Sequence, residues 1–188
     1  MLRPALLSAL CLALLAAPAF AAPSPVFTED GPALTQGMKG LEFALPASGT
    51  PAIGVTYFIA PDAALRLDLG FNLAFSSPDG SGAQTEFSIG LGYRLYFVRV
   101  GRLHVFAQPE LAFGRQQVGT IQQGGTSHGE FFSIGGALGV QYFFTDHFNI
   151  GGAVGVGLNL NNIGGPAGSS VGASLATNTS NLFAGFYW

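Results

Sequence analysis

The segment Ala64–Phe75 reads ALRLDLGFNLAF. Leu65, Leu67, Leu69, Phe71, Leu73 and Phe75 hold every second position, with Arg66, Asp68, Gly70, Asn72 and Ala74 between them. A period of two places the two sets on opposite faces of a β-strand. In a soluble sandwich or lipocalin-like barrel the apolar face turns inward and the polar face outward. Here that arrangement leaves an outer face of Gly, Ala, Ser and Asn with almost no Lys or Glu, a poor aqueous surface. The inverse arrangement, leucines out and charges in, fits a barrel wall that faces lipid.

Composition supports the inverse arrangement. The 188 residues suffice for one domain with a real core, yet only 9 % are charged, against about 25 % in a typical soluble domain. Glycine occurs 28 times and phenylalanine 17 times. Residues 1–21, MLRPALLSALCLALLAAPAFA, carry Arg3, an apolar run and the small-x-small site Ala19-Phe20-Ala21. This pattern predicts an export signal cleaved after Ala21. Leu10 is too large for a lipobox before Cys11, so no lipid anchor is expected. Cleavage removes Arg3 and the sole cysteine, leaving six basic and ten acidic residues. A thiol-free, mildly acidic chain has no disulfide framework, no thiol chemistry and no nucleic-acid partner. Beyond the signal no stretch approaches the ~18 apolar residues of a membrane helix. The remaining way to span a bilayer is a closed β-barrel.

Residues 22–36 are rich in Pro and acidic residues and read as a flexible periplasmic lead-in. From 37 to 188 the period of two recurs in eight segments. They are Lys39–Pro46, Ala52–Ala60, Ala64–Phe75, Gln84–Val98, Leu103–Gly114, Phe131–Phe144, Phe148–Leu160 and Ala173–Trp188. Short turns are expected at Pro61-Asp62, Arg99–Arg102 and Thr145–His147, and longer loops at Ser76–Ala83, Arg115–Gly129 and Asn161–Gly172. Alternating short and long connections suit an even-stranded outer-membrane barrel with both termini in the periplasm. Outward aromatics gather at strand ends, as at two water–lipid interfaces. Pro109, in mid-strand, is expected to mark a bulge, because it cannot donate to the ladder.

The fold class is therefore all-β, an eight-stranded antiparallel transmembrane up-and-down barrel. The signal peptide, the eight alternating segments and the terminal NLFAGFYW together resemble the small OmpA/OmpX-type outer-membrane barrels of Gram-negative bacteria. In that tail Leu182, Ala184, Phe186 and Trp188 alternate up to an aromatic end, resembling the signal read by the barrel-assembly machinery. The resemblance implies the outer membrane as location, with membrane lipid, lipopolysaccharide and that machinery as partners. It names no extracellular ligand.

Folding adjacent strands about their turns brings Glu42, Thr56 and Asp68 to one level of the lumen, with Arg66, Arg94 and His104 about one step nearer the periplasm. These ionisable groups are expected to pair, since charge in so narrow a space is tolerable only when compensated. Phe58, Tyr96, Phe106, Phe143 and Tyr187 gather on the inward face near the short turns as an aromatic plug. Inward positions above them are small, among them Gly90, Gly135, Ala137 and Gly155. Either the upper lumen is hollow, or these glycines relieve curvature and admit close neighbours. A structural plug is the expected role of the network, with a gate or narrow conduit as the alternative.

Catalysis is not expected. The least expected role is a lipid A-modifying enzyme, which the resemblance implies for some small barrels that use Ser, His and an acid near the outer rim. Ser127, His128 and Glu130 in TSHGEF have those residue types, a nucleophile, a base and its orienter. Neighbours in a Gly-flanked loop rarely adopt that geometry, however. His104, His128 and His147 lack metal-site spacing, and no phosphate-binding glycine motif occurs, so no metal or cofactor is expected.

Overall fold

The computed structural model describes residues 26–27, 34–46, 51–74, 81–120, 125–165 and 168–188. The export signal expected at 1–21 lies outside the described residues. A two-residue strand, β1 (Val26–Phe27), precedes eight long ones. These are β2 (Lys39–Pro46), β3 (Ala52–Ala60), β4 (Ala63–Ala74), β5 (Ser81–Val100), β6 (Leu103–Thr120), β7 (Gly125–Phe143), β8 (Phe148–Gly165) and β9 (Gly168–Tyr187). Each of β2–β9 pairs antiparallel with its sequence neighbours, and β2 pairs with β9 to close the ring. The chain is an eight-stranded up-and-down barrel of the kind the sequence resemblance implied.

The strands alternate as ALRLDLGFNLAF requires. Leu65, Leu67, Leu69, Phe71 and Leu73 are exposed on the outside, and Arg66 is buried inside. The same inversion runs around the ring, with Val55 and Tyr57 out against Thr56 and Phe58 in, and Val140 and Tyr142 out against Gln141 and Phe143 in. The core is therefore the lumen, filled at the end that carries the short turns. Gly101, with φ +55°, makes the tight β5–β6 turn possible.

Three expectations change. First, the stretches read as long loops largely continue the ladder, with Arg115 opposite Glu130, Gln117 opposite His128 and Asn161 opposite Gly172. Where both faces of a hairpin carry polar or small residues the apolar alternation stops, although the hydrogen-bonded ladder does not. As a result β5–β9 run 18 to 20 residues while β2–β4 run 8 to 12.

Second, Pro109 makes no bulge. It sits in register opposite Gly136 of β7. On its other side the ladder to β5 lapses between the pairs Gly92–Glu110 and Leu95–Ala107, then resumes unshifted. The missing donor costs hydrogen bonds without inserting a residue. The β5–β6 register shifts lie instead between Ser81 and Gln84 and between Tyr96 and Val98.

Third, the described parts of the lead-in contact the barrel. Val26 and Phe27 pair parallel with Val98 and Arg99, on the part of β5 that extends past the start of β4. Leu34 is 2 % exposed and packs into the lumenal core. Gly37, at φ +87°, donates to the Phe58 carbonyl at 2.8 Å, and Phe58 donates to the Met38 carbonyl at 2.9 Å.

Candidate functional site in the lumen

Glu42 is the hub of the buried polar network. β2 and β4 both lie against β3, so Glu42 and Asp68 each face Gly54 and share one level. Thr56 lies opposite Arg66 and Ala64 opposite Arg94, each pair a further inward step toward the short turns. Thr56 is thus one step from the level first assigned to it.

The Glu42 Oε1 accepts from Arg94 Nη1 at 2.8 Å, from Thr56 Oγ1 at 3.3 Å and from the Tyr187 hydroxyl. Its Oε2 accepts from Arg94 Nη2 at 3.2 Å and from Arg66 Nη1. Arg66 also donates from Nε and Nη2 to Asp68, the latter at 2.7 Å. Two guanidiniums thus face two carboxylates, and the fork geometry of arginine uses most of its donors. Arg94 Nε donates to Gln108 Oε1 at 3.0 Å, and Gln108 in turn donates to Glu110 at 3.2 Å. Tyr96 donates to Gln141 Oε1 at 3.0 Å, and Gln141 donates to the Tyr187 hydroxyl at 3.2 Å.

The five aromatics expected as a plug are all essentially fully buried. Phe58 stacks on Tyr96 with centroids 5.7 Å apart, and Phe143 meets Tyr187 at the same distance. His104 belongs to this layer and not to the polar network. Its ring lies 4.9 Å from Phe143 and 6.0 Å from Tyr96, and its Nδ1 has no partner. The reason is register: His104 lies opposite Arg99 and Gln141, two inward positions from Gln108, the β6 residue that reaches Arg94. Asn149, also fully buried in the lumen, has neither amide atom partnered.

Phe183 is the residue that sequence reading missed. Its ring lies 5.2 Å from the Arg94 guanidinium carbon and 5.9 Å from that of Arg66. Phe106 covers Arg94 from another side at 4.1 Å. An aromatic face stabilises a desolvated cation, so two rings complete what the carboxylates leave open. The signal was present in the inward parity of Phe183 between Leu182 and Ala184. Two inward glycines make room for these rings. A Cβ at Gly139 would overlap the Phe106 ring, and one at Gly151 would overlap Phe183.

Above the network the filling thins. Asp68 retains 24 % of its side-chain exposure. Inward positions at and beyond its level, including Asn72, Glu86, Ser88, Ala112 and Asn159, are only half-buried. The lumen is packed at the short-turn end and open to solvent toward the long hairpins. Glycine therefore serves both readings: it admits rings below and leaves space above.

Of the residues weighed for catalysis, His128 and Glu130 lie on β7 and are both exposed; the side chain of Ser127 lies outside the described residues. Leu182, Phe186 and Trp188 of the terminal tail are exposed on the outside.

No family model matches the chain, and none of the curated proteins does. Among solved structures it is similar to the N-terminal β-barrel domain of Pseudomonas aeruginosa OprF, at 15 % identity over 81 % of this chain and 98 % of that one, with a TM-score of 0.48. It is also similar to Neisserial surface protein A, at 20 % identity over 80 % and 92 % of the respective chains, with a TM-score of 0.47.

Proposed function

We propose that this chain is an integral outer-membrane β-barrel with a closed lumen and a structural or surface-interacting role. One observation carries the reading. Among the described residues, no charged side chain faces outward between the aromatic rims, where the surface is mainly Leu, Ile, Val and Phe with a few Gly, Ala, Pro and Tyr. Only hydrocarbon solvates such a band without driving aggregation. At the short-turn rim Tyr142, Phe144, Phe148 and Phe186 form a continuous outer run, with successive centroids 4.9 to 5.9 Å apart. Aromatic rings of this kind favour the headgroup level. Lipopolysaccharide and the barrel-assembly machinery are the partners this location supplies, the latter through the tail of exposed Leu182, Phe186 and Trp188 with half-buried Ala184 between them.

Closure of the lumen is supported by the Glu42–Arg66–Arg94 cluster and the aromatic layer beneath it, because eight strands enclose a space narrow enough for side chains to fill, as these do at the short-turn end. The half-buried upper positions favour a second reading, a narrow conduit gated by that cluster. Conductance across a planar bilayer separates the two. The mature chain, with insertion verified by heat-modifiable mobility, is expected to be silent. Steady wild-type conductance would refute closure. Conductance that appears only in Arg94→Ala would make the network a gate.

A further inference from the structure

The barrel wall does not rise to one height all the way round. The row of ladder partners that starts at Glu42 passes Asp68, Ala112 and Ser133 and reaches β9 at Ser174. β2 has already ended there, since its last partner on β9 is Asn181, seven residues from Ser174. β3 ends likewise at Ala52, opposite Gly70 of β4. Two edges are left with no strand between them among the described residues. One is Phe71–Ala74 of β4, which pairs only with β5, and the other is Gly168–Ser180 of β9, which pairs only with β8. The cause lies in the sequence. Pro46 and Pro51 bracket the β2–β3 hairpin, and proline cannot donate to a ladder.

The break falls within the apolar band. Strands tilted about 40° gain ~2.5 Å of height per residue and ~3 Å per strand along a row. On that scale Phe87, Phe113 and Phe132 of the upper rim stand roughly 22 Å above Tyr57, Tyr142 and Phe186 of the lower one, close to the ~25 Å of a lipid-facing band. Pro46 and Pro51 stop roughly 7 Å short of the upper rim, about three residues on each strand. Only residues 47–50 lie between them, too few to complete both strands. Open backbone at such a depth is tolerated where it lines a water-filled cavity. Behind these edges lies the half-buried upper lumen, and Ser174, on the inner face of β9, is exposed.

We propose that this break in the wall is a lateral portal through which a single-chain cationic amphiphile passes between the outer leaflet and the upper lumen. The proposal rests on the membrane reading above. An amphiphile is the molecule that both sides of such an opening solvate. Its chain stays among lipid and the exposed Phe71, Leu73 and Leu175, while its head enters the vestibule. The lining sets the sign of the head. Above the aromatic layer the described inward charges are Arg66 and Arg94 against Glu42, Asp68, Glu86 and Glu110. Glu42 and Asp68 offset the two arginines. Glu86 and Glu110 therefore give the vestibule a negative field, and a cleft of one sign concentrates the opposite charge. Glu86 lies opposite Asn72, on the edge strand β4 itself. The buried cluster below closes the floor, so the route leads sideways and not across the membrane.

Asn72 and Ser133 test the portal at one height. From Asp68, Asn72 lies four residues up β4 and Ser133 three strands along the row, each a rise of about 10 Å. Both face inward, but Ser133 has a strand on either side, whereas Asn72 sits at the open edge. Without residues 1–21 the chain has no cysteine, so Asn72→Cys and Ser133→Cys each carry a single fluorescent label in barrels refolded into vesicles. Aqueous iodide should quench both labels. Lipid brominated on its acyl chains should quench the label of Asn72→Cys severalfold more than that of Ser133→Cys. Dodecylammonium should shield the Asn72→Cys label from iodide at a severalfold lower concentration than dodecyl sulfate, and adding Glu86→Gln should remove that preference. Equal lipid quenching of the two labels in an inserted barrel overturns the portal alone. Stronger quenching at Asn72→Cys with no preference for the cationic amphiphile overturns the ligand assigned to it. A chain that fails to insert overturns the membrane reading and this inference with it.

Discussion

Replacing Glu42 by glutamine isolates the energetics of the lumen. The carboxylate is fully buried and accepts from Arg66, Arg94, Thr56 and Tyr187. Glutamine keeps the volume, removes the charge and turns one accepting oxygen into a donor aimed at guanidinium. Arg66 retains Asp68, whereas Arg94, 1 % exposed, keeps the Phe106 and Phe183 rings and the neutral Gln108, Gln141 and Tyr96 but no counter-charge. Leaving a buried cation without its counter-charge costs about 3–5 kcal/mol. Asp68→Asn is the internal control. Asp68 is partly solvated and Arg66 keeps Glu42, so its loss should cost about 1 kcal/mol or less. The assay is a urea titration of the barrel refolded into lipid vesicles, followed through Trp188, the only tryptophan and one exposed on the outer face. Equal costs for the two variants, or a Glu42→Gln cost under about 1 kcal/mol, would refute Glu42 as the hub.

Phe183→Ala should cost about 3–5 kcal/mol, because it opens a cavity and uncovers two guanidiniums at once; the same titration measures it. Gly139→Val should cost at least about 1–3 kcal/mol through overlap with Phe106, whereas Gly136→Ala on the open outer face should stay within about 0.5 kcal/mol. Leu34→Ala should cost about 2 kcal/mol of burial and release the lead-in from the lumen floor. Limited proteolysis of refolded barrels would show faster cleavage before residue 39 in that variant.

The architecture was legible in the chain because a strand has period two and an apolar set turned outward inverts the usual faces. Strands β2 and β3 were placed to the residue, since their polar and apolar sets alternate from end to end. The ends of β5–β9 were not, because beyond the apolar band both faces are wet and polarity no longer reports on hydrogen bonding. Glu42, Arg66, Asp68 and Arg94 were recognisable as a cluster, since inward charge in a charge-poor chain must find a partner. His104 was misassigned to it, and the roles of Gln108 and Gln141 went unseen, because inward parity gives a direction but no height.

The amino-acid order alone determined which side chains face in and which face out, and with that the inverted barrel. Only the tertiary structure decided who meets whom. Register across eight tilted strands set Phe183 over two arginines and left His104 among rings. It also laid Ile134–Val140, IGGALGV, against its near-copy Ile150–Val156, IGGAVGV, and it drew Leu34 under the plug. Alternation is a local property of each strand, whereas register and closure are properties of the whole ring.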